Sequence, residues 1–196
     1  MNKEICLATN NKGKLREYRE ILAPMGFVIY CPSDLGLDID PEETGTNYRE
    51  NSLIKARALS EEVNMPVIAD DSGLEVNALD RFPGLYSSRF AKDCGGYPEA
   101  YAEINRRLEG KEDRSAQFVC CICYLEKKDA KPLYFEGECP GFILPSSVGS
   151  NGFGYDPLFH ASEIDADLGV TPEEIKNKIS HRAKAIRKLE IFLAIS

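Results

Sequence analysis

The sequence lacks the features that mark membrane, secreted and disordered chains. No stretch of its 196 residues approaches the ~18 apolar residues of a membrane span. It has no low-complexity tract, and its first ten residues, MNKEICLATN, contain no apolar segment followed by a small-residue cleavage site. The composition, 43% apolar and 29% charged, is that of a globular protein. We therefore expect a cytoplasmic protein that folds as one domain over residues 1–196.

The sequence also lacks a zinc-binding pattern of cysteines and histidines, and it has no excess of positive charge. Its seven cysteines are an odd number, the CCIC at 120–123 has no second cysteine pair, and there are only two histidines. We expect reduced, buried thiols. The net charge of −8 disfavours binding to nucleic acid or to an anionic membrane. An acidic chain can still bind a small phosphorylated ligand through a few converging positive groups or a divalent cation.

The remaining sequence alternates between strand and helix patterns. Apolar runs predict strands at EICLAT (4–9), FVIYC (27–31), the start of VIADDSGLEV (67–76), AQFVCCICYLE (116–126) and KPLYFEGECPGFIL (131–144). The strand at 67 is expected to stop at two aspartates and a Ser-Gly turn. Capping signals and apolar spacing predict helices after NNKGK, from Asn47, near Pro98 and after Thr171, whereas ALDRFPGLYSSRFA resembles a loop. The predicted fold class is α/β with a mixed sheet and no linker.

Two polar segments in the first third of the chain suggest phosphate and metal chemistry. TNNKGK at 9–14 places lysines at a helix start, where backbone amides attract anions; a solvated turn is the alternative. In PEETGTNYRENSLIKA at 41–56, Glu42 or Glu43 could bind Mg²⁺ and Lys55 could reach a phosphate on the same side. The alternative for these carboxylates is ordinary acidity before a helix start.

Two further segments suggest a reacting water and a planar ligand. Asp70 and Asp71 are adjacent like charges, which a cation would neutralise, and one carboxylate could serve as a general base. A plain Asp-Ser-Gly turn is the alternative. In SNGFGYDP at 150–157 two aromatic residues flank a glycine, and KNKISHR at 176–182 adds donors. Loop packing and a capped helix start explain these two equally well.

Together these segments resemble the inosine triphosphate pyrophosphatase family, the Ham1/RdgB-like house-cleaning nucleotide hydrolases. The resemblance runs from LATNNKGKLRE through EETGTNYRENSLIKA, ADDSGLEV, PGLYSSRFA and GFGYDP to KNKISHRAKA, nearly the whole chain. It implies an elongated mixed sheet with flanking helices, two lobes around a central cleft, and a homodimer. It also implies Mg²⁺-dependent hydrolysis of noncanonical purine nucleoside triphosphates, such as ITP, dITP and XTP, to the monophosphate and pyrophosphate.

The resemblance also implies roles for individual residues. Asp71 matches the proton acceptor, and Glu43 and Asp71 match the metal carboxylates. The substrate-binding positions are Thr9, Asn10, Asn11, Lys12, Gly13, Lys14, Lys55, Ser72, Phe153, Gly154, Tyr155, Asp156, Lys176, His181 and Arg182. Of these, the segment 9–14 would hold the triphosphate, 153–156 would line the base pocket, and Lys176, His181 and Arg182 would read the purine. Asn10 stands where the family commonly has glycine, a position that asparagine tolerates better than most residues.

Three other functions have less support in the sequence. A nucleotide sensor without catalysis would keep the lysines and aromatics yet could dispense with the carboxylates, which are intact here. A pyrophosphatase for pyrimidine or methylated nucleotides is disfavoured by GFGYD and SHR. Nucleic-acid binding is least supported, since the charge is negative and no basic stripe is present.

Overall fold

The computed structural model describes residues 3–195, which form eight strands and six α-helices. The strands are β1 (Glu4–Leu7), β2 (Val28–Tyr30), β3 (Val67–Val76), β4 (Phe82–Pro83), β5 (Ser115–Leu125), β6 (Leu133–Ile143), β7 (Phe159–Ala161) and β8 (Ala166–Asp167). The helices are α1 (Lys12–Leu22), α2 (Tyr48–Ser60), α3 (Ser87–Cys94), α4 (Tyr97–Arg107), α5 (Glu173–Ile179) and α6 (His181–Ile195). No helix within the described range is long and apolar enough to cross a membrane.

All eight strands belong to one sheet, in the order β2-β1-β3-β5-β6-β7-β8 with β4 paired to β3. β1 pairs in parallel with β2 and β3, whereas β3 with β4, β6 with β7, and β7 with β8 are antiparallel. The sheet is therefore mixed, and the predicted α/β fold class is confirmed.

The chain divides into two compact units. The first unit comprises Met1–Asp71, Cys120–Glu136 and Ala183–Ser196, and the second comprises Ser72–Val119 and Gly137–Arg182. Strand β3 passes from the first unit to the second between Asp71 and Ser72.

The first unit has an apolar cluster for each face of its strands. Ile68 of β3 lies in one cluster with buried residues of α1 and α6, such as Tyr18 and Leu189. Val67 and Ala69 lie in the other, whose buried members also come from α2. Because successive strand residues point to opposite faces, this alternation sets the direction of every side chain along β3.

The second unit is built around one large apolar cluster. Leu74 and Val76 of β3 meet Ile104 of α4 and Phe159 of β7 there, and all four are fully buried. Part of α3 also packs against this cluster, through Ala91 and partly buried neighbours.

Three expectations from the sequence are corrected by the structure. The strand that begins at Val67 does not stop at the two aspartates but continues to Val76, since Leu74 and Val76 extend the apolar alternation past them. The segment read as a loop contains the first five residues of helix α3, which ends at Cys94 and is followed by Gly95 with φ 98°. The C-terminal helix is two helices, because Ser180 adopts an extended conformation (ψ 155°) between α5 and α6.

Candidate active site

The loop between β1 and α1 is fixed by two side-chain caps. Asn11 Oδ1 accepts hydrogen bonds from the backbone N–H groups of Gly13 (2.9 Å) and Lys14 (3.1 Å). Thr9 Oγ1 accepts one from the Asn11 N–H at 3.1 Å. Such a cap satisfies helix-start donors that would otherwise remain unpaired. Two of the amides expected to attract phosphate are thus engaged within the protein.

Positive charge in this loop therefore comes from lysine side chains. Lys12 is exposed, as is Asn10, whereas Lys14 is mostly buried and points to β3. The Lys14 Nζ donates to Asp70 Oδ1 at 2.8 Å, and the Cys120 thiol lies 3.6 Å from Asp70 Oδ2. Asp70 is only 1% exposed. Lys14, one of the predicted substrate-binding residues, is therefore held in place by a buried carboxylate.

A second lysine lies between the two carboxylates proposed for metal binding. Lys55 Nζ of α2 is 3.3 Å from Glu43 Oε2 and 3.3 Å from Asp71 Oδ1. The Lys55 side chain is 14% exposed. Burial lowers the pKa of Lys55, but the charges of Asp71, Glu43 and Asp70 outweigh it and leave this pKa raised. Lys55 is accordingly a charged group at neutral pH.

Gly45 brings the acidic loop close to the start of α2. Its N–H donates to Asn51 Oδ1 at 2.8 Å, and a Cβ at this position would lie 2.9 Å from the Asn51 backbone nitrogen. Only glycine permits this approach. The Thr-Gly pair that follows Glu43 therefore positions the carboxylate next to Lys55.

Asp71 has the electrostatic character expected of a reactive carboxylate. It is 6% exposed, and its Oδ2 is buried without a hydrogen-bond partner among residues 3–195. Burial raises the pKa of Asp71, and Glu43 adds to this, while Lys55 and Lys14 oppose it. A buried polar atom without a partner is costly and is found where a ligand or an ion completes the site.

The two adjacent aspartates point to opposite faces of β3. Asp70 contacts Lys14 of α1, on the face that carries Ile68, and Asp71 contacts Lys55 of α2, on the face that carries Ala69. The expected like-charge pair is thus two separate ion pairs, each with its own lysine. The main cause of the raised pKa of Asp71 is burial, not its neighbour in sequence.

In the second unit, Asp156 organises the glycine-rich loop. Its Oδ2 accepts hydrogen bonds from the Phe153 N–H at 2.9 Å and from Lys176 Nζ at 2.7 Å. Gly152 has φ 73°, and a Cβ there would lie 2.1 Å from the same Oδ2. The Asp156–Lys176 ion pair is almost fully buried.

Two cations lie near the Phe153 ring. Lys176 Nζ is 4.5 Å and the Arg182 guanidinium 5.5 Å from the ring centroid. Both distances are within the range of cation–π attraction. The half-buried Phe153 ring is therefore positioned by charge as well as by packing.

Tyr155 has a supporting position and does not offer an open aromatic face. It is buried, its hydroxyl donates to the Ser87 carbonyl at 2.7 Å, and its ring packs edge-on against Tyr97. The carbonyl of Gly154 accepts a hydrogen bond from the Tyr101 hydroxyl. Of the two loop aromatics, Phe153 is the one whose position suits contact with a planar ligand.

The start of α6 brings together the remaining predicted residues. Arg182 Nη2 donates to Ser72 Oγ at 3.0 Å, and the His181 ring stacks on Phe118 with centroids 4.9 Å apart. Arg182 and His181 are both buried. These contacts fix the side chains that the resemblance assigns to purine reading.

The predicted site residues fall into two groups, one in each unit. Residues of the loop 9–14, with Glu43, Lys55 and Asp71, belong to the first unit, and the others belong to the second. Sequence reasoning missed Cys120 beneath Asp70 and Tyr101 beneath Gly154. No local pattern links Cys120 on β5 to an aspartate on β3, or Tyr101 on α4 to the carbonyl of Gly154.

Comparison with known proteins identifies the family. The sequence model of the Ham1 family matches residues 5–192. The chain belongs to this family. Among curated Ham1 relatives, the dITP/XTP pyrophosphatase of Haemophilus influenzae is 44% identical over 193 residues, covering 97% of this chain and 98% of the relative. The Bacillus licheniformis protein of the same name is 41% identical over 194 residues, with 97% and 98% covered.

Solved Ham1 structures have the same fold. The Staphylococcus aureus Ham1 protein aligns with a TM-score of 0.86 and 39% identity, covering 97% of this chain and 98% of that one. The Coxiella burnetii HAM1 protein aligns with a TM-score of 0.88 and 36% identity, with 98% and 99% covered. The family resemblance predicted from the motifs is thus confirmed.

Proposed function

We propose that residues 1–196 act as one nucleoside-triphosphate pyrophosphatase that hydrolyses ITP, dITP and XTP to the monophosphate and pyrophosphate. The relatives named dITP/XTP pyrophosphatase, 44% and 41% identical over nearly full length, support this substrate class. The observation that carries the mechanism is Asp71, a buried carboxylate with a raised pKa and one oxygen without a hydrogen-bond partner among residues 3–195.

The lysines of the first unit suit a polyanion. Lys14 and Lys55 are each held by a buried aspartate, and exposed Lys12 adds a third charge. Lysine is a compact point charge that pairs well with phosphate oxygens. Their role in the reaction is to bind and orient the triphosphate, which is the main contribution expected for phosphoryl transfer.

Glu43 and Asp71 fit a magnesium ion. They are oxygen donors, they share one cation already, and Asp71 Oδ2 is a buried acceptor without a partner among residues 3–195. Mg²⁺ is commonly bound by one or two carboxylates together with water and substrate phosphates. When bound, the ion would neutralise charge on the triphosphate and on the carboxylates.

Asp71 is the residue that we assign as proton acceptor. Its buried position raises its pKa, which makes the carboxylate a better base than an exposed aspartate. It would orient or deprotonate a water for attack at the α-phosphorus, and the pyrophosphate would leave. Lys55, at 3.3 Å, opposes this rise in the pKa of Asp71 and holds its Oδ1 in position.

The second unit supplies the groups that we assign to base recognition. Phe153 offers a ring for stacking, and Lys176, His181 and Arg182 offer donors to a 6-keto oxygen. The 6-amino group of adenine would leave such a donor unpaired, which costs about 1–3 kcal/mol. Guanine shares the keto group, so its rejection must depend on its 2-amino group.

The cellular setting is part of the same proposal. None of the seven cysteines, all of which lie within residues 3–195, forms a disulfide, as suits a reducing cytoplasm. The family resemblance supports a homodimer, which light scattering on the purified protein would test.

A panel assay tests the function directly. Pyrophosphate release is measured for ITP, dITP, XTP, ATP, GTP and dCTP with and without Mg²⁺, for the wild type and Asp71→Asn. We expect Mg²⁺-dependent release from the first three and none from the folded variant. Equal hydrolysis of ATP and ITP would refute the base assignment, and an active Asp71→Asn would refute the role of Asp71. Tight ITP binding without hydrolysis would favour the sensor instead.

A further inference from the structure

Asp70 contacts other groups than Asp71 does. Its carboxylate is 1% exposed, with Lys14 at 2.8 Å on Oδ1 and the Cys120 thiol at 3.6 Å on Oδ2. Strand alternation directs it to the face opposite the Glu43–Lys55–Asp71 group. These contacts do not suit a metal ligand beside Asp71. They suit a group that acts on Lys14.

The Lys14 side chain is fixed at both ends. Its backbone N–H is bound by the Asn11 cap and its ammonium by Asp70. A free lysine samples many rotamers, and restricting them on ligand binding weakens affinity. Asp70 accepts one of the three ammonium donors, and among residues 3–195 no acceptor other than Asp70 is found for Lys14 Nζ. The held ammonium can therefore still donate to a phosphate.

Stability alone does not account for this pair. Buried ion pairs are often no more stabilising than apolar residues of similar volume, because desolvation offsets the attraction. Ile68 and Ile122 lie on the same face and show that this region accommodates apolar side chains. A charged pair at this place is therefore better explained by what the ammonium does.

We propose that Asp70 is a positioning residue that holds Lys14 ready for the triphosphate. This inference rests on the proposed function. Two opposite effects compete at such a site, since Asp70 both orients the ammonium and adds negative charge close to it. The positioning role requires that orientation outweigh repulsion, so that removing the Asp70 charge weakens polyphosphate binding.

The test compares Asp70→Asn, Lys14→Met and the double variant, each checked for folding by thermal unfolding. Calorimetry measures the affinity for inorganic tripolyphosphate without metal, and kinetics measures kcat and KM for dITP. We expect Asp70→Asn to weaken tripolyphosphate binding about tenfold and to raise KM similarly, with a smaller effect on kcat. In the Lys14→Met background the same change should have less than about a twofold effect.

Other outcomes would overturn the proposal. Tighter tripolyphosphate binding by Asp70→Asn would show that Asp70 merely competes for Lys14, and additive effects in the double variant would show that it acts elsewhere. Mn²⁺ titration of Asp70→Asn and Asp71→Asn distinguishes a metal ligand. An equal loss of Mn²⁺ affinity in the two variants would make Asp70 a metal ligand.

Asp70→Glu provides a second variant because it keeps the charge but moves the carboxylate. Positioning predicts weaker binding for Asp70→Glu, and unchanged binding would contradict it. Tripolyphosphate binding by a wild type that leaves dITP intact would refute the proposed function alone.

Discussion

Gly152→Ala is expected to disrupt the base-recognition group through a single methyl. Gly152 has φ 73°, and a Cβ would lie 2.1 Å from Asp156 Oδ2 and 2.9 Å from Asp156 Cβ. That carboxylate is buried and bound to the Phe153 N–H and Lys176 Nζ, so it has no open space to move into without breaking a hydrogen bond.

The size of the effect follows from comparison with a matched glycine. Gly110 has φ 74°, and a Cβ there would meet nothing within 4 Å. Gly110→Ala therefore carries only the backbone strain of a left-handed residue, about 1–2 kcal/mol. Gly152→Ala carries the same strain and loses at least one hydrogen bond to a charged group, about 2–3 kcal/mol more. This difference corresponds to a melting temperature of Gly152→Ala that is roughly 4–12 °C below that of Gly110→Ala.

Thermal unfolding of both variants, followed by ITP kinetics below the lower melting temperature, checks this reasoning. Gly152→Ala should also raise KM for ITP at least about tenfold, because Phe153 and Lys176 lose their common anchor. Gly110→Ala should leave KM unchanged. Equal melting temperatures and equal KM values for the two variants would refute the role of Asp156 as anchor.

Three further predictions concern titratable side chains. Lys176→Met removes the cation that pairs with the buried Asp156 carboxylate and should lower the free energy of unfolding by about 3–5 kcal/mol. Adding Asp156→Asn should restore part of the lost stability in urea unfolding, and no restoration would contradict the pairing. Burial first, and then Glu43, raise the pKa of Asp71 in the folded protein. The contribution of the Asp71 carboxyl to the free energy of unfolding is therefore present below about pH 3.9 and is lost as pH rises through the raised pKa. The stability of the wild type relative to Asp71→Asn should therefore fall with pH in acid titrations; a rise would contradict the sign. Burial raises the pKa of Tyr101 to about 12, so its stabilisation is present below about pH 10 and is lost towards 12; Tyr101→Phe should lose less stability over this range, and identical pH profiles would argue against it.

The sequence predicted those parts of the fold that local signals determine. Asn11 and Asn47 do cap helices, and the apolar runs after Ser115 and Leu133 do form strands, because capping and alternation act over a few residues. Helix α3 was missed because it has only eight residues and follows Pro83 and a glycine turn.

The site was predicted as a set of residues but not as an arrangement. Asp70 and Asp71 look like one like-charge pair in the sequence, and the alternative reading was a turn. Only the continuation of β3 to Val76 shows that their side chains diverge. The lysine that each one binds lies in a different helix, 56 residues away for Asp70 and 16 for Asp71. Such long-range pairing leaves no periodic trace in the sequence.

The divergence of the two aspartates restricts how this segment can change in length. Inserting or deleting one residue between Val67 and Asp71 would reverse the faces of everything that follows until the strand pairing readjusts. Asp71 would then face Lys14, while the apolar side chains would be misplaced on both faces. Related chains that keep the activity should therefore show substitutions here but no single-residue gaps.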